Sequence, residues 1–235
     1  MDKLLEQLTG RLQTAFGNRL VSVILYGSGA ANDLHLKFSD LNVLCVLTAV
    51  TPAELADGES VFRWWRHHGH PSPLLLSREE VATSTDSFPI EFQDLAECRR
   101  VLFGEDVCKD LVIDKTFYRT QVEHELRAKL LRLRQKAATV LSDREVLLRL
   151  MADSVSTFCT LGRHALRLAG HEAPAQKRPT VEALEEKLGI PVGSFYTLLD
   201  LREGKLKARG VDPAPLLAEY LGAIGALVTA VDEMH

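Results

Sequence analysis

The sequence predicts an α+β fold: a small mixed sheet flanked by helices, followed by an all-α helical bundle. Three observations lead there. Short β-rich runs alternate with helical periodicity through the first half of the chain. From Lys115 onward no run has strand character. The segment 117–140 instead carries a long helical stripe of Val122, Leu126, Leu130, Leu133 and Ala137. Strands mixed with helices, then helices alone, divide the chain into a sheet domain over 1–112 and a helical bundle over 115–235.

Each element has its own reason. Residues 3–16 place Leu4, Leu5, Leu8, Leu12 and Phe16 at helical spacing, and Gly17-Asn18 is a natural stop. Residues 20–26, Leu-Val-Ser-Val-Ile-Leu-Tyr, are continuous and β-rich, as a buried strand is. Gly27-Ser28-Gly29 breaks that strand, and a second opens at Asp40 and runs to Leu47. Residues 52–67 are helical, with Val61, Trp64 and Trp65 as anchors. Leu74-Leu75-Leu76 is a short strand, and Phe88 to Leu95 another, with Pro89 tolerated near its start. In the second half, helices are expected over 117–140, 143–169 (ended by Gly170), 180–188, 194–206 and 213–233, with a Pro-containing loop at 171–179.

The bulk properties narrow the function. A formal net charge of −4 does not indicate a nucleic-acid binder. No run is read as reaching the roughly 18 apolar residues of a membrane span. The N-terminus lacks the apolar stretch of a signal peptide. Cys45, Cys98, Cys108 and Cys159 are widely spaced, so neither a zinc site nor a disulfide framework is indicated and a cytoplasmic setting is expected.

The chemistry concentrates at residues 26–47. Gly27 lets the backbone turn sharply after a buried strand and approach a ligand closely. Ser28 offers a hydroxyl and a backbone N–H where a short helix begins, a place suited to a phosphate. Strand alternation puts Asp40 and Asn42 on one face and Leu41, Val43, Cys45 and Leu47 on the other. Two oxygen ligands beside a phosphate cradle describe a magnesium–nucleotide site. A third acid comes from Phe88-Pro-Ile-Glu-Phe92, where Glu91 projects opposite Phe88, Ile90 and Phe92; Asp86 and Asp94 suit the role less well on strand parity.

This pattern, over roughly residues 20–95, resembles the polymerase β-like nucleotidyltransferase superfamily: an apolar-Gly-Ser turn, a strand opening on acid-x-acid, and a later third carboxylate. The helical half is similar, more loosely, to the bundle that follows this domain in kanamycin-type enzymes. The resemblance implies that Gly27 and Ser28 hold the β- and γ-phosphates. It implies that Asp40, Asn42 and Glu91 hold magnesium, with Asp40 and Glu91 catalytic. The reaction implied is in-line attack of an acceptor on the α-phosphate of a nucleoside triphosphate, ATP above all. The acceptor, a small molecule or a protein side chain, is open, as is a homodimer. Three departures stand out: Asn42 replaces the usual Asp, Glu91 the commoner Asp, and the loop lacks the usual Arg, leaving Lys37 as the nucleotide-binding cation. They keep a second function class open: a degenerate, non-catalytic nucleotide-binding or interaction module, including a toxin–antitoxin component.

Two further clusters have bland explanations. His67-His68-Gly69-His70 reads as a polar helix end rather than a metal site. Arg127, Lys129, Arg132, Arg134 and Lys136 read as a solvated helix face, since Glu123 and Glu125 stand four residues before Arg127 and Lys129.

Overall fold

The computed structural model describes residues 1–30 and 41–234, apart from the side chain of Ser28. The chain divides into two compact units, Met1–Thr116 and Phe117–His235.

The first unit is built on a four-stranded sheet in the order β3-β2-β1-β4. Its strands are β1 (Leu20–Tyr26), β2 (Asn42–Leu47), β3 (Leu74–Ser77) and β4 (Arg99–Gly104). β1 pairs antiparallel with both β2 and β4, and β2 pairs parallel with β3. The sheet is therefore mixed, and both faces of its central strands are covered. On one face lie helices α1 (Asp2–Phe16) and α2 (Pro52–His67). There Leu5, Leu8, Leu12 and Phe16 of α1 pack with Val61 and Trp65 of α2 onto Val23, Leu25, Val43 and Cys45. Burying each such large apolar side chain contributes roughly 1.5–3 kcal/mol. The other face carries α3 (Arg78–Thr83) and α4 (Pro89–Glu97). Val81, Phe92 and Leu95 pack there onto Ile24, Leu44 and Val46, with the half-buried Tyr26 against them.

The segment Phe88–Leu95, expected as a strand, is the start of α4. The alternation of Phe88, Ile90 and Phe92 is real, but Pro89 at the first helical turn and buried Ile90 and Asp94 four apart follow the helical period. α3 was not expected, although Ser77 and Glu80 form a capping box visible in the sequence. β4 was not expected either. It lies at the rim of the sheet, paired to β1 alone, and its largely exposed side chains give no alternation to read.

The second unit contains α5 (Tyr118–Ala138), α6 (Arg144–Leu168), α7 (Lys177–Leu188), α8 (Gly193–Glu203) and α9 (Pro213–Asp232). No strand occurs in it among the described residues. α7 begins three residues earlier than expected, so Pro179 sits in its first turn. Tyr220 of α9, fully buried, meets Phe158 of α6 and Phe195 of α8 edge-on at ring distances of 5.8 and 5.3 Å. Its hydroxyl is 3.0 Å from Ser154 Oγ. By length and composition α9 is apolar enough to cross a membrane, which the sequence reading did not expect. Its buried side chains instead pack within the bundle, against α5, α6 and α8. Arg178 of α7 bonds Asp200 and Glu203 of α8. Burial opposes ionisation of Glu203, but Arg178 and Lys205 outweigh it and hold its carboxyl down to about 2.

Candidate functional site

The site expected from sequence lies where β1 ends. Tyr26 sits in register between Asn42 of β2 and Arg99 of β4. The chain then turns through a single 3-10 turn, Gly27–Gly29. Gly27 has φ +71°, a conformation that costs an ordinary L-residue about 1–2 kcal/mol. A Cβ on Gly27 would stand 3.5 Å from Asn42 Nδ2, so the glycine faces the opening residue of β2 across a narrow gap. Gly29 is packed more tightly, its added Cβ meeting Leu41 and Leu25 at 3.2 and 3.3 Å. The Gly27 N–H donates to the Cys98 carbonyl at 3.1 Å. The Gly27 N–H is thus engaged within the fold, and the residue supplies the turn.

The acids come from an element the sequence reading misassigned. Asn42 shares strand parity with Leu44 and Val46, which face α4. Glu91, on the first turn of α4, is therefore carried by a helix on the same sheet face as Asn42, exposed at its surface. Asp94, one turn further on, is 9% exposed. Burial first, then the fields of Glu91 and Asp94, push the Tyr26 phenol up to about 12. Tyr26 is therefore a neutral hydroxyl at ordinary pH, and both acids lie close enough to act on it. The rejection of Asp94 on strand parity does not survive, because on a helix residues 91 and 94 lie on neighbouring turns of one face.

Arg99, the cation in register with Tyr26, is committed to the fold. It grips Asp106 through Nε and Nη2 at 2.8 and 2.9 Å, and its Nη1 donates to the Leu95 carbonyl at 3.3 Å at the end of α4. The guanidinium holds Asp106 below the usual carboxylate range. Lys37 and Asp40 lie outside the described residues, as does the Ser28 side chain.

Asn42 and Glu91 offer oxygen donors on this sheet face, which suits magnesium in kind. Among the described residues no three His, Cys, Asp or Glu side chains come together, Asn42 is neutral, and β3, parallel to β2, carries only Leu74, Leu75, Leu76 and Ser77.

A helix-flanked mixed sheet with a glycine turn closing its central strand, followed by a helical bundle, is the architecture implied by the nucleotidyltransferase resemblance. The chain aligns with the crystal structure of spectinomycin adenyltransferase AAD(9) from Enterococcus faecialis with ATP and spectinomycin, at a TM-score of 0.64 and 13% identity, over 98% of this chain and 99% of that one. The chain thus shares the fold of that enzyme. No family model matches the sequence, and no curated protein matches it.

Proposed function

We propose that the chain binds a nucleoside triphosphate, ATP in the first place, at the Gly27 end of β1 and transfers its nucleoside monophosphate to a small hydroxyl-bearing acceptor. The observation that carries this reading is the left-handed Gly27 turn set against Asn42, in a chain with the fold of an adenyltransferase solved with ATP and a small acceptor. In the reaction, the acceptor oxygen bonds to the α-phosphorus. The bond from that phosphorus to the bridging oxygen breaks, and pyrophosphate leaves with the electron pair. The acceptor proton goes to a carboxylate, and Glu91 is assigned because it is exposed on the sheet face that Asn42 shares. Tyr26, held neutral, can donate to a phosphate oxygen. Magnesium belongs to the proposal: Asn42, and Asp40 outside the described residues, would hold it, and when bound it would neutralise triphosphate charge.

One observation favours a second reading, nucleotide binding without transfer. The donor set is short of negative charge, with Asn42 neutral and no acid on β3. The deciding experiment measures transfer of α-phosphate label from each triphosphate to small hydroxyl compounds and to cell extract, with and without magnesium. In parallel, the thermal midpoint is followed with ATP, for wild type and Asn42→Asp. A ligand that binds only the folded state must raise that midpoint. Transfer by wild type, lost in Asp40→Ala, supports the first reading. A raised midpoint without transfer supports the second. No rise in either protein, with both folded, contradicts nucleotide binding.

A further inference from the structure

We propose that His70 is a positioning residue for the opening of β2. This role rests on the nucleotide reading above and deepens it.

Three histidines end or follow α2, and the structure uses them differently. His67 and His68 lie at the helix end with Nδ1 at 2.8 and 2.9 Å from the carbonyls of Arg63 and Trp64, four residues back. They are the polar helix end the sequence suggests. His70 lies past a reversal at Gly69, whose φ of +84° turns the chain back toward the sheet. Its ring rests on Trp65, with ring centres 4.6 Å apart, and Trp65 is fully buried in the core beneath. From there His70 Nδ1 accepts the backbone N–H of Leu41 at 3.4 Å. The Leu41 side chain is buried in the same core as Trp65. Leu41 is thus held at both its side chain and its N–H.

The location gives this contact its consequence. Leu41 stands between Asp40 and Asn42, the two residues proposed to meet the nucleotide and its metal. Its amide plane sets how the strand enters the sheet. The bond is at the long end of the hydrogen-bond range, so it fixes direction more than it adds stability. The contact also specifies a tautomer, because Nδ1 can accept only when it carries no proton. A chain of packing from the end of α2, through the Gly69 reversal and the Trp65 platform, therefore fixes the backbone at Leu41, immediately before Asn42 opens β2. A misplacement of about 1 Å at such a site can cost about a hundredfold in rate.

The test uses the geometry of the acceptor. An Asn side chain places its oxygen near the position of His Nδ1, whereas Gln reaches toward Nε2. The full-length wild type, His70→Ala, His70→Asn and His70→Gln are compared for ATP affinity, for transfer kcat against KM, and for hydrogen exchange of the Leu41 amide, below each thermal midpoint. His70→Ala is expected to speed Leu41 exchange about tenfold or more. It should also weaken ATP affinity or transfer kcat about tenfold, with Asn restoring most of both and Gln neither. Should His70→Ala fail to fold, the Asn–Gln contrast decides alone. Wild type that binds ATP while Asn and Gln behave alike, or His70→Ala with wild-type Leu41 exchange and ATP affinity, overturns this role only. Wild type that binds no ATP overturns the nucleotide reading and this role with it.

Discussion

The two ends of β1 are built on opposite principles. At the Leu20 end, the chain is held by charge. Arg19 bonds Glu54 at 2.7 Å and Asp57 at 2.6 Å. Thr51 and Glu54 close a capping box at the start of α2, and the Thr48 N–H donates to the Arg19 carbonyl at 2.9 Å. At the Tyr26 end, a glycine turn rests on apolar packing, opposite a neutral Asn42, with Arg99 drawn away to Asp106. On the proposed function, the Gly27 end, with its left-handed glycine, neutral Asn42 and nearby acids, is the end that meets the nucleotide.

If the glycine end stands on packing, its support should be the most sensitive point. Leu25 is fully buried and touches the position where Gly29 would carry a side chain. Leu25→Ala should cost about 2–5 kcal/mol in denaturant unfolding, by the usual cavity argument. Next in size is Gly27→Val, which forces a β-branched residue into φ +71°. It should lose about 1–2 kcal/mol of stability. On the reading given above, ATP affinity should fall far more than that stability loss explains. A variant of unchanged ATP affinity would leave the turn a purely structural feature.

The charged end should respond differently. Thr51→Ala removes the cap of α2 and should cost about 1 kcal/mol, leaving ATP affinity as in wild type. The smallest effect is in acid. The Thr51 hydroxyl first, then Arg19, hold Glu54 down to about 2. Its folded value lies below its unfolded one, so its contribution is complete above the ordinary carboxylate range and fades as pH falls from about 4.5 toward 2. A midpoint-versus-pH series should therefore fall less steeply over that window for Glu54→Gln than for wild type. Identical slopes would mean Glu54 is not held by this network.

Much of this contrast was legible in the sequence. A continuous apolar run broken by Gly-Ser, then a strand with Asn42 on one parity, sufficed to place β1, its turn and β2. Glu91 was read on a strand, whereas it lies on the first turn of α4. An eight-residue stretch satisfied a period of two and a helical period together, and Pro89 is compatible with either start. Asp94 was discounted for the same reason. Arg99 and β4 escaped because a rim strand paired on one side needs no alternating pattern. The role of His70 had no local signal at all, since its partner Leu41 is 29 residues away.

The most direct measurement sets the two ends of β1 against each other in one ligand-binding experiment. ATP with magnesium is titrated calorimetrically into wild type, Gly27→Val and Arg19→Gln, each below its thermal midpoint. Wild type is expected to bind, Gly27→Val to lose affinity by about tenfold or more, and Arg19→Gln to bind as wild type while melting earlier. Loss of binding in Arg19→Gln with retention in Gly27→Val, or no binding by the folded wild type, would contradict this expectation.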